Sequence, residues 1–148
     1  MSDAKALIKK HEGISLIPYR CPAGFRSIGY GYNFDANPLP DDIREYLNRN
    51  GKITIEMSER LLDSMVEVAV SDCKSLYPTF DGFSKNRRNA LIDWLYNIGK
   101  GTAKKFVTTN RMINDGDWDA AADNLALSKW YKQVGRRGKE ICALLREG

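Results

Sequence analysis

From residue 55 to residue 77 the chain runs without glycine or proline, and Leu62, Met65, Val66, Ala69, Cys73 and Leu76 fall on one helical face. Thr54 is the expected cap at one end, and Pro78 closes the other. At ~1.5 Å per residue such a helix is about as long as a small domain is wide. What flanks it differs in kind. Before it lies a glycine-punctuated stretch rich in Ile, Tyr and Phe; after it come helical stripes. A helix of this length between two unlike parts is expected to connect two lobes, and no other feature limits the possible folds so strongly.

The flanking segments fill in the two lobes. Asp3 to His11 carries Leu7, Ile8 and His11 at helical spacing, with Asp3 or Ser2 as cap and Gly13 as the residue that ends the helix. From Ile14 to Phe34, Gly24, Gly29 and Gly31 break short β-prone runs, predicting a small antiparallel sheet that Pro38 and Pro40 terminate. Asp41 to Asn50 reads as a short helix stopped by Gly51. Beyond the long helix, Ser84 caps a segment with Leu91, Trp94, Leu95 and Ile98 on one face, ending at Gly99. Trp118, Ala121, Ala122 and Leu125 repeat that spacing, and Ile141, Leu144 and Leu145 mark a last helix. The expected class is α+β in a single domain, residues 1–148. A sheet-bearing lobe covers about 13–54, a connecting helix 55–77, and a helical lobe 78–148 together with helix 3–12.

Composition removes several classes of function. A hydrophobic share of 43% and a charged share of 28% in 148 residues describe a chain able to bury a core. No apolar run reaches the ~18–20 residues of a membrane span. The three cysteines, Cys21, Cys73 and Cys142, stand far apart beside a single histidine, His11, which excludes a full disulfide framework and the usual zinc spacings. No metal and no cofactor is expected. The net charge of +4 favours anionic partners. The basic residues are scattered without an aromatic-interleaved stripe, so nucleic acid is not an expected partner. The opening residues lack a basic segment followed by an apolar one, so folding in a reducing cytoplasm is expected.

One residue breaks a rule of helix design. Glu12 closes the first helix, where unsatisfied carbonyls carry partial negative charge and Lys or Arg would be the stabilising choice. That setting disfavours an ionised carboxylate and suits one that holds its proton, as a general acid must. Downstream, Gly24 to Asn33 places glycines inside a strand pattern, which marks close approach to the backbone rather than a phosphate loop. Tyr30 and Tyr32 there could stack on sugar rings or pack in the sheet.

Together Glu12-Gly13, Tyr19, Gly24 and Ser27-Ile28-Gly29-Tyr30-Gly31 resemble the catalytic segment of phage-type lysozymes, the endolysins of glycoside hydrolase family 24. That family spaces a Glu, eight residues, an Asp (in some members a Cys), five residues and a Thr. Glu12, Cys21 and Ser27 keep both spacings. Arg87-Arg88 through Gly99, Trp118 to Ala122, and Ser128-Lys129-Trp130-Tyr131 followed by Arg137 extend the likeness over nearly the whole chain. The resemblance implies a two-lobe fold with a cleft that binds the glycan strand of peptidoglycan. Glu12 would protonate the glycosidic oxygen between N-acetylmuramic acid and N-acetylglucosamine. Arg137 would pair with that glutamate, an influence opposed to the helix end, so sequence gives no net sign. Asn97 matches an amide near the acid and Tyr96 an aromatic of the cleft, while Gly31 and Tyr32 adjoin the motif on the substrate side.

Two positions depart from the pattern. Cys21 stands in place of the second carboxylate that glycoside hydrolysis ordinarily uses, and Ser27 in place of Thr. A thiol serves only when ionised, and Arg20 and Arg26 are near enough in sequence to assist. Asp35 is a further carboxylate of the region, more readily read as a turn former. The leading expectation is an endolysin-type muramidase. The alternative is a silent peptidoglycan-binding module on the same fold. As an endolysin, the chain is expected to be monomeric, to accumulate in the host cytoplasm, and to act on the wall in the periplasm after a holin opens the membrane.

Overall fold

A computed structural model describes residues 2–148. Eleven elements of regular α or β structure follow in order: α1 (Ser2–Glu12), β1 (Ser15–Arg20), β2 (Arg26–Gly29), β3 (Tyr32–Asn33), α2 (Asp41–Asn50), α3 (Ile55–Leu76), α4 (Lys85–Ala103), α5 (Val107–Asn114), α6 (Trp118–Ala126), α7 (Lys129–Val134) and α8 (Arg136–Glu147). A single 3-10 turn, Phe80–Gly82, precedes α4. The class is α+β, a three-stranded antiparallel sheet of order β1-β2-β3 near the N-terminus and a helical remainder. Asp3 stands inside α1, and the Ser2 side chain, the other expected cap, lies outside the described residues. No helix among the described residues is long and apolar enough to cross a membrane.

The chain divides into two compact units, Ile8–Val66 and, in the other, the residues up to Leu7 together with Glu67–Gly148. The boundary falls within α1 and α3. α3 is one continuous helix shared between the units: Ile55–Val66 belongs to the sheet unit and Glu67–Leu76 to the helical one.

In the sheet unit, Ile28, Tyr32, Leu39, Ile43, Ile53 and Leu61 form a buried core. Ile28 and Tyr32 are Cα partners across β2 and β3, so the alternation of the strands turns this face toward α2 and α3. Thr54 caps α3 by accepting the Met57 N–H at 3.1 Å. Gly51, at φ +70, ends α2 and donates its N–H to Leu47 O.

The helical unit centres on α4. Ala90 to Leu95 are all buried, and Trp94 is met edge-on by Phe106 and Trp130 at centroid distances of 5.1 and 6.2 Å. Ser84 caps α4 through the Arg87 N–H, as its position in sequence indicates. Gly99 (φ +78, ψ 159) interrupts α4, but helix resumes to Ala103 instead of stopping. Arg87 donates Nε to Leu145 O at 2.8 Å and Nη2 to Arg146 O at 3.2 Å, with its guanidinium 4.5 Å from the Trp118 ring. It thereby satisfies carbonyls that the last turn of α8 leaves open.

Candidate active site

Glu12 is the last residue of α1 and is half-buried. The helix stops there because Gly13, at φ +67, turns its N–H back to Lys9 O at 3.0 Å. The two residues between β2 and β3, Tyr30 and Gly31, then bring backbone against the carboxyl. A Cβ at Gly31 would lie 2.6 Å from Glu12 Oε1 and 3.0 Å from its Cδ, and Gly31 has φ +74. The positive φ favours glycine there, and a Cβ would displace the Glu12 carboxyl. Glu12 is thus held at the β2–β3 turn, and α1 and the sheet both define its place.

Ser27 sits in the middle of the sheet. It is 4% exposed and is paired in register with Tyr19 of β1 and Asn33 of β3. The turn between β1 and β2 begins at Cys21. The Gly24 N–H closes it onto Cys21 O at 2.8 Å, and the Cys21 N–H reaches Phe25 O at 2.9 Å. The half-buried thiol is free. Tyr19 stands between the two functional groups in an electrostatic sense: burial pushes its phenol up, and charge on Glu12 and on Cys21 adds to the rise. Tyr19 belongs to the sequence motif, and its pairing opposite Ser27 comes from the fold of β1 on β2.

The expected helpers of Cys21 are differently employed. Arg26 donates Nε to Asp35 Oδ1 at 2.8 Å and its backbone N–H to Asp35 Oδ2 at 2.7 Å, and its guanidinium lies 4.8 Å from the Phe34 ring. These bonds hold the Asp35 carboxyl below the usual carboxylate range, the backbone N–H contributing most. Arg20 gives Nη1 to Gly24 O at 2.9 Å. Asp35 is thus engaged by Arg26 through Nε and the backbone N–H, which leaves both Arg26 amino groups outside these bonds, while Arg20 bonds a carbonyl of the turn that Cys21 opens. Of the two readings the sequence left open for Tyr32, packing fits the structure. Tyr32 is 6% exposed, packs in the core and donates its hydroxyl to Pro38 O at 3.1 Å, so it offers no ring to a sugar. Tyr30 is half-buried, with Lys9 Nζ 5.4 Å from its ring and its hydroxyl 3.4 Å from Glu59 Oε1.

Tyr96, Asn97 and Arg137 belong to the helical unit. Asn97 Oδ1 accepts the Trp130 indole N–H at 2.7 Å, which fixes Trp130 beside Trp94. Tyr96 is half-buried in α4. Arg137, 8% exposed, donates Nη2 to Asp93 Oδ1 at 2.6 Å, and the Asp93 side chain is wholly buried. Asp93 escaped the sequence reading, although a charged residue within the apolar run Ala90 to Leu95 was its signal.

Residues 9–147 match the phage lysozyme family. The chain belongs to that family. Over its whole length it is 26% identical to "Probable T4-type lysozyme 2" of Dictyostelium discoideum, covering 96% of that protein. It is 30% identical over 128 residues to the "Endolysin" of Acyrthosiphon pisum secondary endosymbiont phage 1, which spans 85% of this chain and 75% of the relative. It also aligns, at 25% identity and over 96% of its length, with 27% of the "Pre-baseplate central spike protein Gp5" of Enterobacteria phage T4. Within the phage lysozyme family the carboxyl at the end of α1, the thiol at the β1–β2 turn and the buried hydroxyl of β2 all belong to one compact unit of this chain.

Proposed function

We propose that this phage lysozyme family member is an endolysin-type muramidase, hydrolysing the β-1,4 bond between N-acetylmuramic acid and N-acetylglucosamine in peptidoglycan. One observation carries the reading: the Glu12 carboxyl rests against the Gly31 backbone, where a side chain would push it away. A carboxyl so confined can deliver a proton to a leaving glycosidic oxygen with little reorganisation. In the same unit, Cys21 and Ser27 act on the attacking water or the oxocarbenium-like centre, the task a second carboxylate ordinarily performs. By resemblance to the family we assign Gly31, Tyr96, Asn97 and Arg137 to substrate binding or to orienting the acid. The positive net charge suits an anionic wall. As an endolysin the protein would act as a monomer, wait in the host cytoplasm and reach the wall once a holin permeabilises the membrane.

Mass spectrometry of material liberated from purified peptidoglycan tests this. Muropeptides with reducing ends are expected from the wild type and none from Glu12→Gln. Anhydro-sugar ends would make the reaction a transglycosylation. Wall binding with no release would instead establish the silent peptidoglycan-binding module.

A further inference from the structure

The sheet unit carries a concavity on the face of the sheet turned away from Ser27. Pro18 and Arg26 are the chain neighbours of Tyr19 and Ser27, so their side chains point to the opposite side. With Phe34, Leu39, Arg44 and Leu47 they line a pocket of about 540 Å³, within the roughly 300–1,000 Å³ usual for small-molecule sites. Phe34 and Leu47 pack against the unit's buried core, and Leu39 is part of it, so the pocket is that core's open end.

Its polar groups suit one kind of ligand. Arg26 engages Asp35 through Nε and its backbone N–H, while Arg44 engages Asp41 through Nη2 at 2.8 Å. Both side chains are about half exposed, and these bonds use neither Arg26 amino group. Each guanidinium shares its charge with an aspartate, so the pocket offers several donors with little net charge. That combination favours a monoanionic carboxylate over a dianionic phosphate. The proline, leucine and phenylalanine walls require an apolar body behind the anion.

We propose that this pocket binds the carboxylate end of a D-alanyl peptide, the free terminus of the stem peptides borne by peptidoglycan. The choice of peptidoglycan as the source rests on the muramidase reading; the carboxylate-plus-apolar chemistry does not. Such a site would hold the enzyme to a stem peptide of a nearby strand while the opposite face of the sheet addresses the glycan.

The test is an NMR titration of the full chain with diacetyl-L-lysyl-D-alanyl-D-alanine, its C-terminal amide, and inorganic phosphate. The free acid is expected to give saturable shifts at the amides of Leu39, Leu47, Asn48 and Gly51. The amide and phosphate should bind about tenfold more weakly or worse, as should the free acid to Arg44→Gln, whose rate on soluble glycan strands stays unchanged. Absence of shifts, equal binding of phosphate, an unaffected Arg44→Gln, or shifts confined to the turn around Gly31 would each overturn the proposal. Muropeptide release without peptide binding removes this site and leaves the hydrolase reading intact. Peptide binding without release does the reverse.

Discussion

At the scale of single residues, Gly31 and Cys21 carry the sharpest consequences. Gly31→Ala puts a methyl group into the Glu12 carboxyl and a side chain on a left-handed backbone, a conformational cost of about 1–2 kcal/mol. Muropeptide release should fall by more than that modest loss of stability explains, as urea titration of the same variant would reveal. Cys21→Ala should abolish release and Cys21→Asp should retain it, because the latter restores a carboxylate. Alkylation of the thiol should mimic Cys21→Ala, and undiminished release after alkylation would remove Cys21 from the mechanism. The spacing of Glu12, Cys21 and Ser27 was readable because it is a one-dimensional property. Partners were not: whether Arg26 serves a thiol or an aspartate, or whether Asp93 is buried, depends on residues brought together by folding.

Elements defined by caps and stripes were legible, and those made by tertiary contact were not. Thr54, Ser84 and Gly51 do what their positions announce. The helix α5 escaped notice since Val107, Thr108 and Thr109 are poor helix formers; it forms by burying Thr109 and Ile113 one turn apart. Six-residue α7 is too short to show a period. The start of β2 is tied to the loop after β3 by Asp35, and this tie has a definite pH dependence. The Asp35 carboxyl is held below its ordinary 3.8 in the folded chain, so its contribution is complete above that value and disappears as pH falls through the lower folded value. Urea midpoints of wild type and Asp35→Asn should therefore differ by a constant amount from pH 5 to 7, taking ~4 as the unfolded value, and should converge in more acid solution.

For the whole molecule, the sequence conveyed an α+β chain with a sheet-bearing part and a helical part on either side of one long helix. The division between the compact units falls inside α3, because its first turns pack with the sheet unit's core. Ile28 and Ile92, each at most 1% exposed, belong to different units. Ile28→Val and Ile92→Val should each cost about 1 kcal/mol. Because they lie in different compact units, their effects should add within ~0.5 kcal/mol in the double variant. A larger discrepancy in calorimetry would mean that the two sites are coupled.

The clasp that Arg87 forms between Trp118 and the carbonyls of Leu145 and Arg146 gives the protein an optical readout of its own. Trp94 and Trp130 are enclosed together, whereas the Trp118 indole is half-buried beneath a guanidinium whose position depends on the final helical turn. Fraying of that turn would lift the cation from the ring, and the emission of Trp118 would change while the other two indoles stayed dark to the event.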